Sequence, residues 1–282
     1  KQSLSTSAEL TAINRLNELS TTLSRSVSPD DKTILHYDFS QFSELLLVPL
    51  YDVHVGMAQA KLDLLEELCG LLLSIPNAYV ILGGDLMEAA TKDAPGNAAY
   101  AQVKRIQEQV DYLQDVLAPL AKAGRILVGV PGNHERRLTK SVDHDPMATV
   151  AKALGFPYEM GGQGYLRLHV GQCEYLILVF HGRGAAQTPA ARVAAALRLR
   201  DVWPDAHIYI VGHSHQPFMV KPGWSKVGPD GRLMMQYQYV VSVPSFVEYF
   251  GSYAEQNAAM PVPVGTSYLR LGGTTPRVEV HL

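Results

Sequence analysis

Only two cysteines, Cys69 and Cys173, occur in 282 residues. That excludes a disulfide framework. Cys173 lies in an apolar run beside Leu and Ile, so both thiols are expected to be buried and reduced. No apolar run approaches the ~20 residues that a helix needs to cross a bilayer. A protein without a membrane partner, cytoplasmic in location, is therefore expected. An excess of positive charge is also missing: 24 Lys and Arg stand against 27 Asp and Glu, a net charge of −3. This removes the global electrostatic case for avid binding to nucleic acid or an anionic membrane. It does not exclude chemistry on phosphate esters, because bound metal ions would supply positive charge locally. Internal repeats and low-complexity tracts are absent too.

What is present is alternation. Leu10, Ile13, Leu16, Leu19 and Leu23 recur at helical spacing, which predicts an amphipathic helix closed by Ser28-Pro29-Asp30. Residues 1–40 are assigned to an N-terminal helical extension and 41–282 to one main domain, since no linker-like composition divides the latter. Buried strands are predicted at Glu44–His54, Ala78–Glu88 and Arg125–Glu135, separated by apolar-faced helices over Leu62–Leu73 and Gln102–Leu120. Asp145-Pro146 predicts a cap and first turn of a helix through Leu154. The second half turns to hairpins: YLRLHV and CEYLILVF flank Gly171-Gln172, and Gly272-Gly273 sits between two further strand runs. Between these hairpins come an Ala-rich helix over Thr188–Arg200 and strands at His207–His215 and Gln236–Val243. This order gives an α/β fold with mixed sheets and outer helices.

Five apolar strands end in polar groups. In order these are Asp52 and His54; Asp85; Asn133, His134 and Glu135; His181; His213 and His215. Open α/β sheets place their sites at the carboxyl ends of strands, where loops converge. Imidazole with carboxylate suits Zn, Mn or Fe, and the lack of cysteine ligands argues against a structural zinc knuckle. A carboxylate bridging two ions roughly 3.5–4 Å apart is the arrangement of two-metal phosphoryl chemistry.

The segments DVH, GGDLME, GNHE, His181-Gly182 and GHSH, in that order, resemble the motifs of the calcineurin-like metallophosphoesterase superfamily. They span Asp52 to His215. Each is weak alone; five in order, each after an apolar strand, are specific. The resemblance implies a four-layer sandwich of two mixed β-sheets flanked by helices, holding two divalent metal ions, with Mn favoured over Fe or Zn. Asp52, His54 and His215 would hold one ion, Asn133, His181 and His213 the other, and Asp85 would bridge them. His134 would act on the phosphate and the leaving oxygen rather than bind metal, with Glu135 orienting its imidazole. Two positions depart from the common pattern: Tyr51 precedes Asp52 where a small residue is usual, and Glu88 stands where Asp or Asn is common.

A histidine after a strand is more often a satisfied polar residue than a ligand, and His36, His144, His169, His207 and His281 are assigned that way. Asp145 is assigned to helix capping. Arg183 and Arg136, with Arg137 behind them, are candidates for gripping a substrate phosphate. The segment Ala89–Tyr100 is a candidate substrate loop, and the Tyr-rich run from Tyr237 to Tyr253 is assigned to packing. The implied activity is a dinuclear-metal phosphoesterase, with a metal-bound hydroxide as nucleophile. A phosphodiesterase acting on nucleotide or nucleic-acid-like esters comes first. A DNA repair-type nuclease is the alternative within enzymes, and a non-catalytic scaffold of the same fold is the alternative from another class. Oligomeric state is not encoded in any recognisable segment.

Overall fold

The computed structural model describes residues 34–92, 94, 98–184, 188–228, 230–256, 258 and 260–282, with Thr11, Asn14, Arg15 and Glu18 ahead of them. The chain divides into two units, Lys1–Thr33 and Ile34–Leu282. In the first, the four described residues are helical and Arg15 pairs with Glu18 at 3.0 Å. The predicted apolar stripe Leu10, Ile13, Leu16, Leu19 and Leu23 lies outside the described residues.

In the second unit the strands are β1 (Leu35–Phe39), β2 (Glu44–Leu50), β3 (Ala78–Leu82), β4 (Ile126–Gly129), β5 (Gln163–Val170), β6 (Cys173–Phe180), β7 (Ile208–Val211), β8 (Phe218–Val220), β9 (Gly223–Val227), β10 (Leu233–Tyr237), β11 (Tyr239–Ser242), β12 (Tyr268–Gly272) and β13 (Val278–His281). The helices are α1 (Leu62–Ser74), α2 (Ala98–Ala101), α3 (Ile106–Lys122), α4 (Asn133–Val142), α5 (Pro146–Leu154), α6 (Pro189–Leu197), α7 (Leu199–Val202) and α8 (Tyr253–Gln256). One sheet runs β13-β12-β2-β3-β4 and the other β1-β5-β6-β7-β11-β8. Both are mixed: β2, β3 and β4 are parallel while β12 runs antiparallel between β2 and β13, and β6, β7 and β11 are parallel beside an antiparallel β5.

The period of two along each strand decides the layers. On β2 and β3, Leu45, Leu47 and Ile81 pack with Leu166, Ile177, Val179, Ile208 and Ile210 of the other sheet. Val48, Leu50, Val80 and Leu82 point the opposite way, into α1, α3 and α5 through Leu65, Leu113, Leu117 and Val150. On the far face of the second sheet, Leu178, Tyr209 and Val240 meet Ala196 and Leu199. The result is helices, sheet, sheet, helices: an α/β sandwich of two mixed sheets, as the resemblance implies.

Three expectations change. The main domain does not begin at residue 41, because β1 pairs in parallel with β5 from Leu35 to Phe39. Its residues alternate, His36 and Asp38 exposed and Leu35, Tyr37 and Phe39 less so, but over five residues only. The run Gln236–Val243 is not one strand: the chain breaks at Gln238, between β10 and β11. There the buried amide donates to Pro204 O, Ala206 O and Tyr209 Oη and accepts from Arg200 Nε. The third change is at GNHE, which opens a helix, α4, and is not the tail of a strand. The Asp145 cap is as expected, accepting from Met147 N and Ala148 N.

Candidate metal centre

The ligand candidates arrive from both sheets at the same end. Asp52 and His54 follow β2, Asp85 follows β3, Asn133 and His134 open α4 after β4, His181 follows β6, and His213 and His215 follow β7. Beyond the strands the backbone continues to pair: Gly83 N donates to Leu50 O, Asp52 N to Gly84 O, His54 N to Asp85 O, and Gly212 N to His181 O. Tyr51 ties the two sheets together where they converge. It is fully buried and its hydroxyl donates to Ile210 O at 3.1 Å. A Cβ on Gly212 would fall 2.4 Å from Asp52 Oδ2 and 2.5 Å from the Tyr51 ring, so the glycine admits both.

Two groups of side chains have ligand atoms within 4.8 Å of one another: Asp52, His54 and His215, and Asp85, His181 and His213. The first group holds the residues that the motifs assign to one ion; the second holds His181 and His213 with Asp85, and Asn133 Oδ1 lies 3.1 Å from His181 Nε2. A third group joins His54, Asp85 and His134. Five of the candidates hold left-handed backbone: Asp52 (φ 49°), His54 (53°), Asp85 (49°), His213 (63°) and His215 (56°). Such conformations cost non-glycine residues of order 1 kcal/mol or more and gather where function over-determines geometry.

The donor set fits a cation. Asp52 Oδ1 is buried and forms no hydrogen bond, yet His215 Nε2, His54 Nε2 and His181 Nε2 approach it at 3.4, 3.9 and 3.9 Å. His54 Nε2 and His215 Nε2 also face each other at 3.3 Å. Outer nitrogens fix how two imidazoles are presented. His54 Nδ1 donates to Glu88 Oε2 at 3.1 Å, and His181 Nδ1 to Gly83 O at 2.9 Å. A nitrogen so engaged carries the proton, which turns the Nε2 lone pair toward the cluster.

Electrostatics follow from burial and crowding. Burial pushes the Asp85 carboxyl up, but the positive charges of His181 and His134 outweigh it and hold it well below the usual range. Burial alone would raise Glu88 as well; hydrogen bonds from His134 and His54 bring it down to about 2. Burial, then the His134 charge, depresses His54. Burial would lower His134 too, yet Asp85 and Glu88 raise it to about 9. Burial and the nearby Asp85 charge push Glu135 up to about 7.

Glu135 does not orient His134. Its carboxylate accepts from Asp85 N at 3.0 Å, Met87 N at 3.1 Å and Gly132 N at 2.9 Å, which fixes the Asp85 loop onto the start of α4. The partner of His134 is Glu88: Nδ1 meets Glu88 O at 2.9 Å and Glu88 Oε2 at 3.3 Å. Sequence spacing alone does not reveal this, although Glu88 sits three residues beyond Asp85. Gly132 is required for close approach, since a Cβ there would lie 2.0 Å from Asp85 Oδ1 and 2.2 Å from Asp85 N.

A cavity of about 1080 Å³ opens beside the cluster, lined in part by Asn133, His181, His213 and His215, with Arg136 and Arg183 on its wall. Arg137 is not among the residues lining it. Among the described residues, His36, His144, His169, His207 and His281 join no potential metal group. His207 Nδ1 instead accepts from Leu176 N. Of the candidate substrate loop Ala89–Tyr100, residues 93 and 95–97 lie outside the described residues. No helix is long and apolar enough to cross a membrane, among the described residues.

No protein-family model and no curated protein matches the chain. Among solved structures, it is similar to a metallophosphoesterase from Sphaerobacter thermophilus at 18% identity and TM-score 0.42, over 84% of this chain and 87% of that one. It is similar to vacuolar protein sorting 29 from Cryptosporidium parvum at 16% identity and TM-score 0.40, over 84% and 96%. A predicted phosphoesterase from Streptococcus pneumoniae TIGR4 aligns at 12% identity and TM-score 0.36, over 85% and 90%.

Proposed function

We propose that this chain is a dinuclear-metal phosphoesterase that hydrolyses phosphate diesters of nucleotide type. The single observation that carries the reading is the buried Asp52 oxygen without a hydrogen bond, set among three imidazole nitrogens at the convergence of two sheets. Asp52, His54 and His215 would hold one ion and Asn133, His181 and His213 the other, with Asp85 between them. Mn is the first choice of metal, with Fe and Zn accepted by the same donors. When bound, such ions supply a nucleophile from water at neutral pH and neutralise charge on phosphate oxygens.

The protein's own groups do the rest. His134 Nδ1 is occupied by Glu88, so Nε2, 3.8 Å from Asp85 Oδ2, is the nitrogen turned to the cluster. The Glu88 carboxylate beside Nδ1 favours the protonated imidazole, which can pass its Nε2 proton to the departing oxygen. Arg136 and Arg183 grip the non-bridging oxygens from the cavity wall. Glu135 keeps Asp85 and α4 in register through three backbone amides.

The test is hydrolysis of bis-p-nitrophenyl phosphate beside p-nitrophenyl phosphate, metal-free and with manganese, with His134→Ala as control. The reading predicts metal-dependent cleavage of the diester, reduced roughly 10²–10⁴-fold in the variant, which still binds metal. Preference for the monoester would make the protein a phosphatase. No turnover of either with metal bound would favour the scaffold alternative.

A further inference from the structure

The cavity beside the cluster is far larger than one phosphate requires, and its charge is one-sided. At about 1080 Å³ it reaches the size of sites that enclose whole ligands, roughly 300–1,000 Å³. Its charged lining, the metal-site histidines aside, consists of Arg136, Arg183, Arg192, Arg198 and Glu248. The one carboxylate is paired, with Glu248 Oε2 2.9 Å from Lys61 Nζ. Four guanidiniums in one cavity of a protein with net charge −3 are not a sample of the average surface.

They also divide by position. Arg136 lies on α4 and Arg183 two residues past His181, both next to the cluster. Arg192 lies on α6 and Arg198 caps its end, on the opposite sheet's helical layer. Arg192 Nη1 donates to Gln216 Oε1 at 2.8 Å, which anchors it to the residue after His215. Arg200 is not among the lining residues: it donates to Gln238 and lies over the Trp224 ring. Part of the wall is apolar, with Phe180, Leu199, Phe218 and Val247.

We infer that the substrate carries a second phosphate, held by Arg192 and Arg198 while the scissile phosphate lies at the metal cluster beside Arg136 and Arg183. The apolar part of the wall suits the body of a nucleoside or a similar flat, weakly polar group. Guanidinium is matched to phosphate by charge and by its fork of donors, which favours a dianionic group over any neutral one. The inference rests on the phosphoesterase reading for the scissile group only.

Binding tests it without requiring turnover. Calorimetry on the manganese-loaded full chain would compare thymidine 3′,5′-bisphosphate with thymidine 5′-monophosphate. The bisphosphate is expected to bind at least tenfold more tightly. That ratio should fall to within twofold in Arg192→Gln and Arg198→Gln together, and survive in part in Arg192→Lys. Equal affinities in the wild type, no binding of either nucleotide, or a ratio unchanged by the substitutions would overturn it. Hydrolysis of bis-p-nitrophenyl phosphate is scored separately: if it fails while the binding ratio stands, the activity is refuted and the second phosphate site is not.

Discussion

An imidazole that presents one nitrogen to a reaction needs its other nitrogen held. In this protein a single carboxylate, Glu88, does so for two of them, His54 and His134. Glu135 serves the backbone instead, and the two residues should separate in experiment. Removing Glu135 orphans three amide groups in a fully buried place, so Glu135→Ala is expected to lose at least ~2 kcal/mol of stability, read by urea denaturation. His134→Ala, on a partly accessible ring, should keep most stability and lose turnover. Equal loss of stability in both variants would refute this division. Which residues gather at the site was legible from the sequence, because ligand chemistry restricts the choice to few residue types. Which carboxylate faces which imidazole was not, because that depends on a helix starting at Asn133, where the residue pattern reads as the end of a strand.

Elements place the site by the way they begin and end. Parallel β2, β3 and β4 finish side by side, and GNHE turns at once into α4, with Gly132 pressed against Asp85. Gly132→Ala must move Asp85 or α4, at a cost of about 1–3 kcal/mol, and should reduce metal affinity with it. Asp145→Ala provides the contrast: it deletes the cap of α5 and a Tyr158 contact, and should cost about 1 kcal/mol while metal affinity holds. Thermal unfolding with and without manganese reads both; unchanged metal affinity in Gly132→Ala would contradict the role given to that approach. The strands with continuous apolar character and the capped helices could be predicted from their local pattern. Strand β1 offers only a five-residue alternation, and the break at Gln238 depends on buried partners at Pro204, Ala206 and Tyr209.

At the scale of the molecule, two sheets that share one core bring loops from both halves of the sequence to one end. Their buried carboxylates and imidazoles gain by binding cations, and so does the fold. A ligand at 100 times its dissociation constant stabilises the native state by about 2.7 kcal/mol, so manganese should raise the melting temperature and a chelator should lower it. A dinuclear centre is tested most directly by titration of the metal-free protein with manganese while hydrolysis of bis-p-nitrophenyl phosphate is followed. Such a centre gives no turnover without metal and activity that saturates only as a second equivalent binds, with Asp85→Asn inactive throughout. Full turnover in the metal-free protein, or in Asp85→Asn, would contradict it.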